Sequence, residues 1–344
     1  MLWGLPATRR LARRSPSTFG GGSEQLRFET LMRVLVVEVM GEMGGAQASL
    51  ARFAKCAVNA GVQIRIVMLE DGPLRDDLET NGAEVVVYPG GAPLRRLDRT
   101  LRAIFAVARE AVKWNADVVY ANGTKSHIYG SPGAALARKP YVWRLCDMLI
   151  PGVTPLYRVA ASLPSSAIIT DSDAVASTAL MFSHRLRHLR TVYPGIDLPD
   201  ASAIGGKLRE ELKIPVGAPV IAVIGRLQRW KGQDVFVRAS VDILARHPDT
   251  RLVVIGGALF GLDLDFPGEL AALAQELGVA KSLHFLGHRT DVQQLLPDLD
   301  VVALTSLTPE PFGTIQIEAM AAGRPLVSTR AGGNGEVVVD GVSQ

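Results

Sequence analysis

From Arg33 onward the chain alternates short apolar runs with stretches of helical period. The runs "RVLVVEV", "VQIRIVML", "AEVVVYP", "ADVVYAN", "KPYVWRL" and "AIITDS" have the length and β-branched character of buried strands. Between them lie helical patterns. One follows "GEMGGAQ", with Leu50, Phe53, Ala54, Ala57 and Val58 as its apolar stripe and Gly61 as its stop. "GPLRDDLETNG" predicts a short helix. A long one is predicted from about Pro93 to Trp114, with Leu94, Leu97, Leu101, Ile104, Phe105, Ala108 and Val112 inward. A second series then begins: "APVIAVIG", "RLVVIGG", "SLHFLG", "DVVALTS" and "PLVST", again separated by helices. Strands alternating with helices predict parallel sheets covered on both faces, and two series predict two Rossmann-like, doubly wound domains. The expected divisions are an Arg/Gly-rich extension at 1–31, an N-terminal domain at 32–197, a linker rich in Pro, Gly and Ala at 198–217, and a C-terminal domain at 218–344.

Composition narrows the function classes. A hydrophobic fraction of 48% with 21% charged residues is that of a globular chain, and 344 residues suit two domains. A net charge of +3 predicts no nucleic-acid partner. Cys56 and Cys146 each sit among apolar residues and read as reduced, buried thiols. No Cys/His spacing or HExxH pattern suggests a metal, and none is expected. No apolar run approaches the roughly 18 residues of a membrane span, which leaves a cytoplasmic protein as the expectation. The first 25 residues carry four arginines and no lysine, so they mimic a transit peptide. A disordered extension, or an upstream start ahead of Met32, accounts for them more simply.

Parallel sheets bind ligands beyond the C-terminal ends of their strands, so the loops there carry the candidate chemistry. In "GRLQRWKGQDVF", Gly225, Arg226, Lys231 and Gly232 form a strand-to-helix junction with cations and free backbone N–H groups, suited to a diphosphate. In "DVVALTSLTPEPFG", Glu310 lies on the next loop and Gly313 starts a helix whose open N-terminus suits the same group. That helix, "TIQIEAMAA", is apolar nearly all round and should be buried. Its only ionisable side chain is Glu318, which suits a ribose cis-diol or else an arginine. Glu310 could hold hydroxyls of whatever the diphosphate carries, or merely compensate the helix dipole.

The string "EPFGTIQIEAMAAGRP" resembles the signature of family 4 retaining glycosyltransferases. "GRLQRWKG", "FLGHRTDV", "AGGNGEVVVDG", "GEMGGAQASL" and "VYPGID" resemble further motifs of that family in the right order. The resemblance covers Met32 to the end and implies a GT-B fold, two facing Rossmann-like domains with the active site between them. It implies transfer of a sugar from a UDP-, GDP- or ADP-sugar co-substrate to a glycan, lipid-linked or small-molecule acceptor, with anomeric retention and without a metal or further cofactor. By position, Arg226 and Lys231 would stabilise the leaving diphosphate, Glu310 would contact the donor sugar, and Glu318 the ribose. Gly225 and Gly313 would lie against the donor, and Gly44 and Gly45 would bring backbone N–H groups to the phosphate.

Several positions depart from the family pattern. Its strand-end histidine is absent, and Arg144, Cys146 and Asp147 stand there. Asp147 could take over a contact to donor sugar or acceptor; His127 in "GTKSHIYG" is the nearest other histidine. "IITDSD" (Asp171, Asp173) mimics a D-x-D metal motif, but Ser172 or Asp173 as a helix N-cap is the better reading. Arg95, Arg96, Arg99 and Arg102, and the run "SHRLRHLR", offer basic surfaces for a peripheral contact with an anionic membrane at the inner face. The resemblance also implies a longer C-terminal domain, hence a truncated chain. Two alternatives remain: a non-catalytic nucleotide-sugar-binding protein and a nucleotide-sugar epimerase.

Overall fold

The structure is a computed structural model, and it describes residues 32–88, 96–148, 163–182, 188–199, 205–259 and 261–339. The 1–31 extension, Arg95, most of the "SHRLRHLR" run and the last five residues lie outside these. Two parallel α/β domains face each other, as expected for GT-B.

The N-terminal domain runs β1 (Arg33–Glu38), α1 (Gly45–Asn59), β2 (Gln63–Met68), α2 (Leu74–Thr80), β3 (Glu84–Val87), α3 (Leu97–Lys113), β4 (Val118–Asn122), α4 (Gly123–Leu136), β5 (Tyr141–Leu145), β6 (Ala167–Thr170), α5 (Asp173–Phe182) and β7 (Leu189–Thr191). Its sheet order is β3-β2-β1-β4-β5-β6-β7, all parallel. The two-residue period of β1 sends Leu35 and Val37 to one face, under α3, α4 and α5, and Val34 and Val36 to the other, under α1 and α2. The strand β7 was not foreseen. The sequence around Leu189 and Arg190 reads as a basic run, and only pairing with β6 makes it an edge strand.

The C-terminal domain runs α6 (Lys207–Glu211), β8 (Val220–Ile224), α7 (Gln233–Arg246), β9 (Arg251–Ile255), α8 (Phe266–Glu276), β10 (Leu283–Phe285), α9 (Val292–Leu295), β11 (Val301–Leu304), α10 (Thr314–Ala321), β12 (Leu326–Ser328) and α11 (Asn334–Val337). Its sheet order is β10-β9-β8-β11-β12. Strand order reverses between β1 and β4 in one domain and between β8 and β11 in the other, so a crevice opens at the C-terminal ends of both pairs.

Three expectations need correction. In α3 the buried face is Ile104, Val107, Ala108 and Ala111, whereas Leu97, Leu101, Phe105 and Val112 are exposed. The cause is close packing on α4: a Cβ added at Gly133 would come within 2.7 Å of the Val107 side chain. That contact turns the neighbouring Leu97–Leu101–Phe105 ridge outward. Second, α10 is only half-buried; Gln316 and Ala319 are its buried residues, because its other face forms a wall of the interdomain crevice. Third, Cys56 is exposed, while Cys146 is buried as expected.

Candidate active site

The C-terminal wall is built from the loops after β8 and β11. After Gly225 (φ 154°) the chain passes Arg226 into a 3-10 turn at Arg229–Lys231 and enters α7 through Gly232, whose φ of 67° a side chain would strain. A Cβ at Gly232 would also collide with the Thr305 carbonyl oxygen, so this loop lies directly on the end of β11. The loop carries three cations, and the two of its 3-10 turn part company. Arg229 turns to Asp263, Asp265 and Glu269 at the surface. Lys231 turns inward, and its Nζ reaches Glu310 Oε1 at 2.5 Å, over the Trp230 ring. Burial lowers the Lys231 pKa, against the pull of Glu310.

Glu310 is 2% exposed and also accepts a hydrogen bond from Ser306 Oγ. Its backbone is propped by the "AGGNGE" segment: Gly333 N donates to the Glu310 carbonyl at 2.8 Å, and Gly332 (φ 65°) bridges Glu310 where a Cβ would clash. Gly313 (φ 75°) opens α10 with no side-chain cap, leaving its first turn available to an anion. Burial lowers the Arg226 pKa as well, opposed by Glu310 and by Asp147 from the facing domain. Arg226, Lys231, Glu310 and Asp147 therefore share one electrostatic neighbourhood.

The N-terminal wall presents Gly44 as the N-cap of α1, with no side-chain cap and no acid in the first turn. A Cβ at Gly45 would meet nothing within 4 Å, so the backbone here borders open space. Asp147 lies past β5 and accepts from Thr124 N at 3.4 Å, at the start of α4. Glu318 meets Arg52 of α1 across the crevice at 3.5 Å. Burial raises its pKa, while Arg52 opposes the rise. The arginine partner that the sequence left open for this carboxylate is present.

His127 does not belong with these residues. It is fully buried in α4, stacked on Trp143 at 3.9 Å, with Nδ1 2.7 Å from the Tyr141 hydroxyl. It faces the sheet, because the strand-to-helix turn ends at Gly123, four residues earlier. The D-x-D mimic is also structural. Asp171 forks onto Arg144, Asp173 accepts from the Thr191 hydroxyl, and Ser172 Oγ caps α5 at Val175 N. Among the described residues no group of three or more His, Cys, Asp or Glu could hold a metal.

Sequence reasoning missed the bridges between the walls. Ser172 Oγ donates to the Pro311 carbonyl at 2.5 Å, and Tyr193 stacks on Phe312 at 5.7 Å. Glu336 accepts from the N–H groups of Asp173 and Ala174 at 2.8 and 2.7 Å, capping a helix of the other domain. The "GGNGE" motif was the only signal for Glu336. Ser172 was legible as an N-cap, but nothing local marks it, or Arg52, as a bridge to the facing wall.

Comparison with known proteins agrees with this architecture. Residues 206–344 match the family model "Glycosyl transferases group 1", and residues 44–193 match "Glycosyl transferase 4-like domain". The structure of HepE from Anabaena in complex with UDP and glucose superposes with a TM-score of 0.79 at 31% identity, covering 90% of this chain and 84% of that one. Sucrose-phosphate synthase from Thermosynechococcus elongatus shares the fold, with a TM-score of 0.72 at 18% identity over 90% of this chain and 84% of that one. A D-inositol 3-phosphate glycosyltransferase of Corynebacterium urealyticum is 35% identical over 213 residues, 60% of this chain and 48% of that protein. Spore coat protein SA of Bacillus subtilis is 32% identical over 195 residues, 51% of this chain and 49% of that protein. The matched stretch thus spans about half the length of these curated relatives. With two family models end to end along its two domains and a 31%-identical solved relative along nearly its whole length, the chain belongs to the group 1 glycosyl transferases of GT-B fold.

Proposed function

We propose that the protein transfers a sugar from a nucleoside-diphosphate sugar to an acceptor, with anomeric retention. The observation that carries this reading is the pairing of Lys231 with Glu310 beside Arg226 and the open start of α10, at the strand-order reversal of the C-terminal sheet. Two cations and a helix start would receive the diphosphate. Stabilisation there grows as negative charge develops on the leaving group, so it acts on the transition state. Glu310 lies 2.5 Å from the Lys231 ammonium, so the sugar hydroxyls it would accept adjoin the diphosphate. Its burial against Lys231 and Ser306 suits a hydrogen-bond acceptor better than a nucleophile, in keeping with attack on the same face as the leaving phosphate. Glu318 would take the ribose hydroxyls, with Arg52 displaced or shared. The UDP complexes of HepE favour uridine as the base. The two cations supply the charge that a metal would otherwise bring.

A thermal-shift series with UDP, GDP, ADP and their glucose esters tests this. Ligand at 100 times Kd should stabilise by about 2.7 kcal/mol. No response to any of them would sink the reading, and binding without turnover of labelled sugar would move it to a non-catalytic binder. Glu318→Gln should weaken binding of the nucleoside diphosphate itself roughly 10-fold, the cost of about one charge-assisted hydrogen bond. Glu310→Gln should spare that binding and depress transfer, as calorimetry beside a transfer assay would show; equal loss from both contradicts these roles.

The acceptor side of this reading is a glycan or lipid-linked acceptor at an anionic membrane surface. Its support is the α3 ridge, where Leu97 is 70% and Phe105 60% exposed beside Arg96, Arg99 and Arg102. Asp98 pairs with Arg96 and Arg102 and dilutes the charge. Each basic residue at such a surface is worth about 1 kcal/mol. Sedimentation with phosphatidylglycerol vesicles should therefore fall about 10-fold or more in Leu101→Glu/Phe105→Glu. Equal sedimentation of both proteins would remove the membrane from the proposal.

A further inference from the structure

The donor-facing glycines of the N-terminal wall sit on a buried polar chain that the proposed chemistry does not itself use. Arg144, at the end of β5, is 6% exposed, and its planar fork reaches three separate elements. Nε and Nη2 donate to the two Asp171 oxygens at 2.9 and 2.7 Å, beyond β6. Nη1 donates to Asn122 Oδ1 at 2.9 Å, at the end of β4, and to the Ala46 carbonyl at 3.4 Å. Nη2 also donates to Ser49 Oγ at 2.9 Å. Every N–H of the guanidinium thus has an acceptor, and two of those acceptors belong to the first turns of α1.

The chain continues through Asn122. With its Oδ1 committed to Arg144, its Nδ2 donates to Glu38 Oε2 at 2.5 Å, at the end of β1. Glu38 Oε1 in turn accepts from Met40 N at 2.9 Å and Gln47 Nε2 at 3.5 Å. Glu38, Asn122, Arg144 and Asp171 therefore run across the ends of four adjacent strands. Their outward arms grip Met40, Ala46, Gln47 and Ser49, on either side of Gly44 and Gly45. The loop end of this segment has its own tie, Leu74 N to the Gly41 carbonyl at 3.0 Å. The helix end has no side-chain cap, and it is held laterally by the Arg144 fork beneath, at Ala46 and Ser49, with a longer contact from Gln47 to Glu38 beside it. The far end of the chain leads to the other wall, since Asp171 precedes Ser172, which bonds to the Pro311 carbonyl next to Glu310.

We propose that Arg144 is a positioning residue: it sets the Gly44–Gly45 helix start against the strand ends so that its backbone N–H groups meet the donor phosphate. The inference rests on the transferase reading for its catalytic consequence, and on geometry alone for the placement. A flexible ammonium cannot reproduce a fork spread over Asp171, Asn122, Ser49 and Ala46, so lysine keeps the charge and loses the placement.

The test compares Arg144→Lys and the milder Ser49→Ala with the unaltered protein. Three quantities are read: kcat with the best nucleotide sugar, Kd for the nucleoside diphosphate, and hydrogen exchange at Ala48, whose N–H bonds the Gly44 carbonyl. Arg144→Lys should lower kcat about 100-fold and Ser49→Ala about 5-fold. Kd should stay within about 3-fold, because the diphosphate is held mainly by the other domain, and Ala48 exchange should quicken at least about 10-fold in Arg144→Lys. Faster exchange with unchanged kcat would overturn the proposal. So would unchanged exchange in a folded Arg144→Lys protein, or a parallel loss of kcat and Kd, which marks general damage. If the unaltered protein binds no nucleotide sugar, the transferase reading fails by that result, and the Ala48 exchange still decides whether Arg144 places the helix start.

Discussion

Lys231→Met should lower kcat/KM for sugar transfer by about 10³-fold and destabilise the folded chain by about 3 kcal/mol. Both effects come from one contact. Lys231 and Glu310 are paired at 2.5 Å, with Glu310 2% exposed. Removing the ammonium leaves the Glu310 carboxylate buried and hydrogen-bonded by Ser306 but without its ion-pair partner, with Arg226 acting on it through the field, and breaking a buried ion pair costs a few kcal/mol. It also removes a cation from the place where charge would develop as the sugar–phosphate bond breaks, which typically costs 10²–10³ in rate, roughly 3–4 kcal/mol. The double variant Lys231→Met/Glu310→Gln separates the two. Neutralising Glu310 should restore most of the denaturant midpoint and none of the transfer. Recovery of both together would mean that Lys231 serves stability alone.

Folding stability should fall by about 3 kcal/mol between pH 4.5 and pH 7 through Glu38, and that part of the slope should vanish in Glu38→Gln. Burial pushes the Glu38 carboxyl up from 4.5 to about 7, against hydrogen bonds from Asn122, Met40 and Gln47. Its folded pKa is therefore above its unfolded one. Across that window the folded state holds a proton that the unfolded chain has released. The stabilisation is complete below 4.5, declines as pH rises through 7, and changes no further above it. Asp171 and Glu318, both raised by burial, add slope of the same sign. His284, lowered by burial, opposes it within the same window. Asp98 and Asp291, lowered by their arginine partners, act at more acid pH. Chemical denaturation at several pH values, for both proteins, reads the difference directly; parallel curves would refute the Glu38 assignment.

Much of the C-terminal wall of the crevice was legible because its parts are local. Gly225, Arg226 and Lys231 fall within seven residues, and Glu310, Gly313 and Glu318 within nine, each group at a strand end that periodicity locates. The opposite wall was less legible. His127 and Asp147 were both candidates, yet one lies under the sheet and the other beside Arg226. Which way each faces depends on where the turn after β4 ends and how β5 registers with it, and neither is visible in residue types. Likewise Arg226 and Arg229 are equivalent cations on paper. Three surface carboxylates from the α8 region claim Arg229.

The sequence by itself determined the strand and helix succession apart from β7, the two-domain plan and the glycines where positive φ is required, since these follow from apolar periodicity and local sterics along the chain. The tertiary structure alone decided which charges meet. Arg52 finds Glu318 across the crevice, Glu336 caps α5 from the other domain, and Arg144 gathers five acceptors from α1, β4 and the end of β6. It also decided which half of an amphipathic α3 is covered, through the close approach at Gly133. Such pairings are set by the stacking of elements far apart in the chain, and no local pattern encodes the partner of a charge that is desolvated only when two domains face each other.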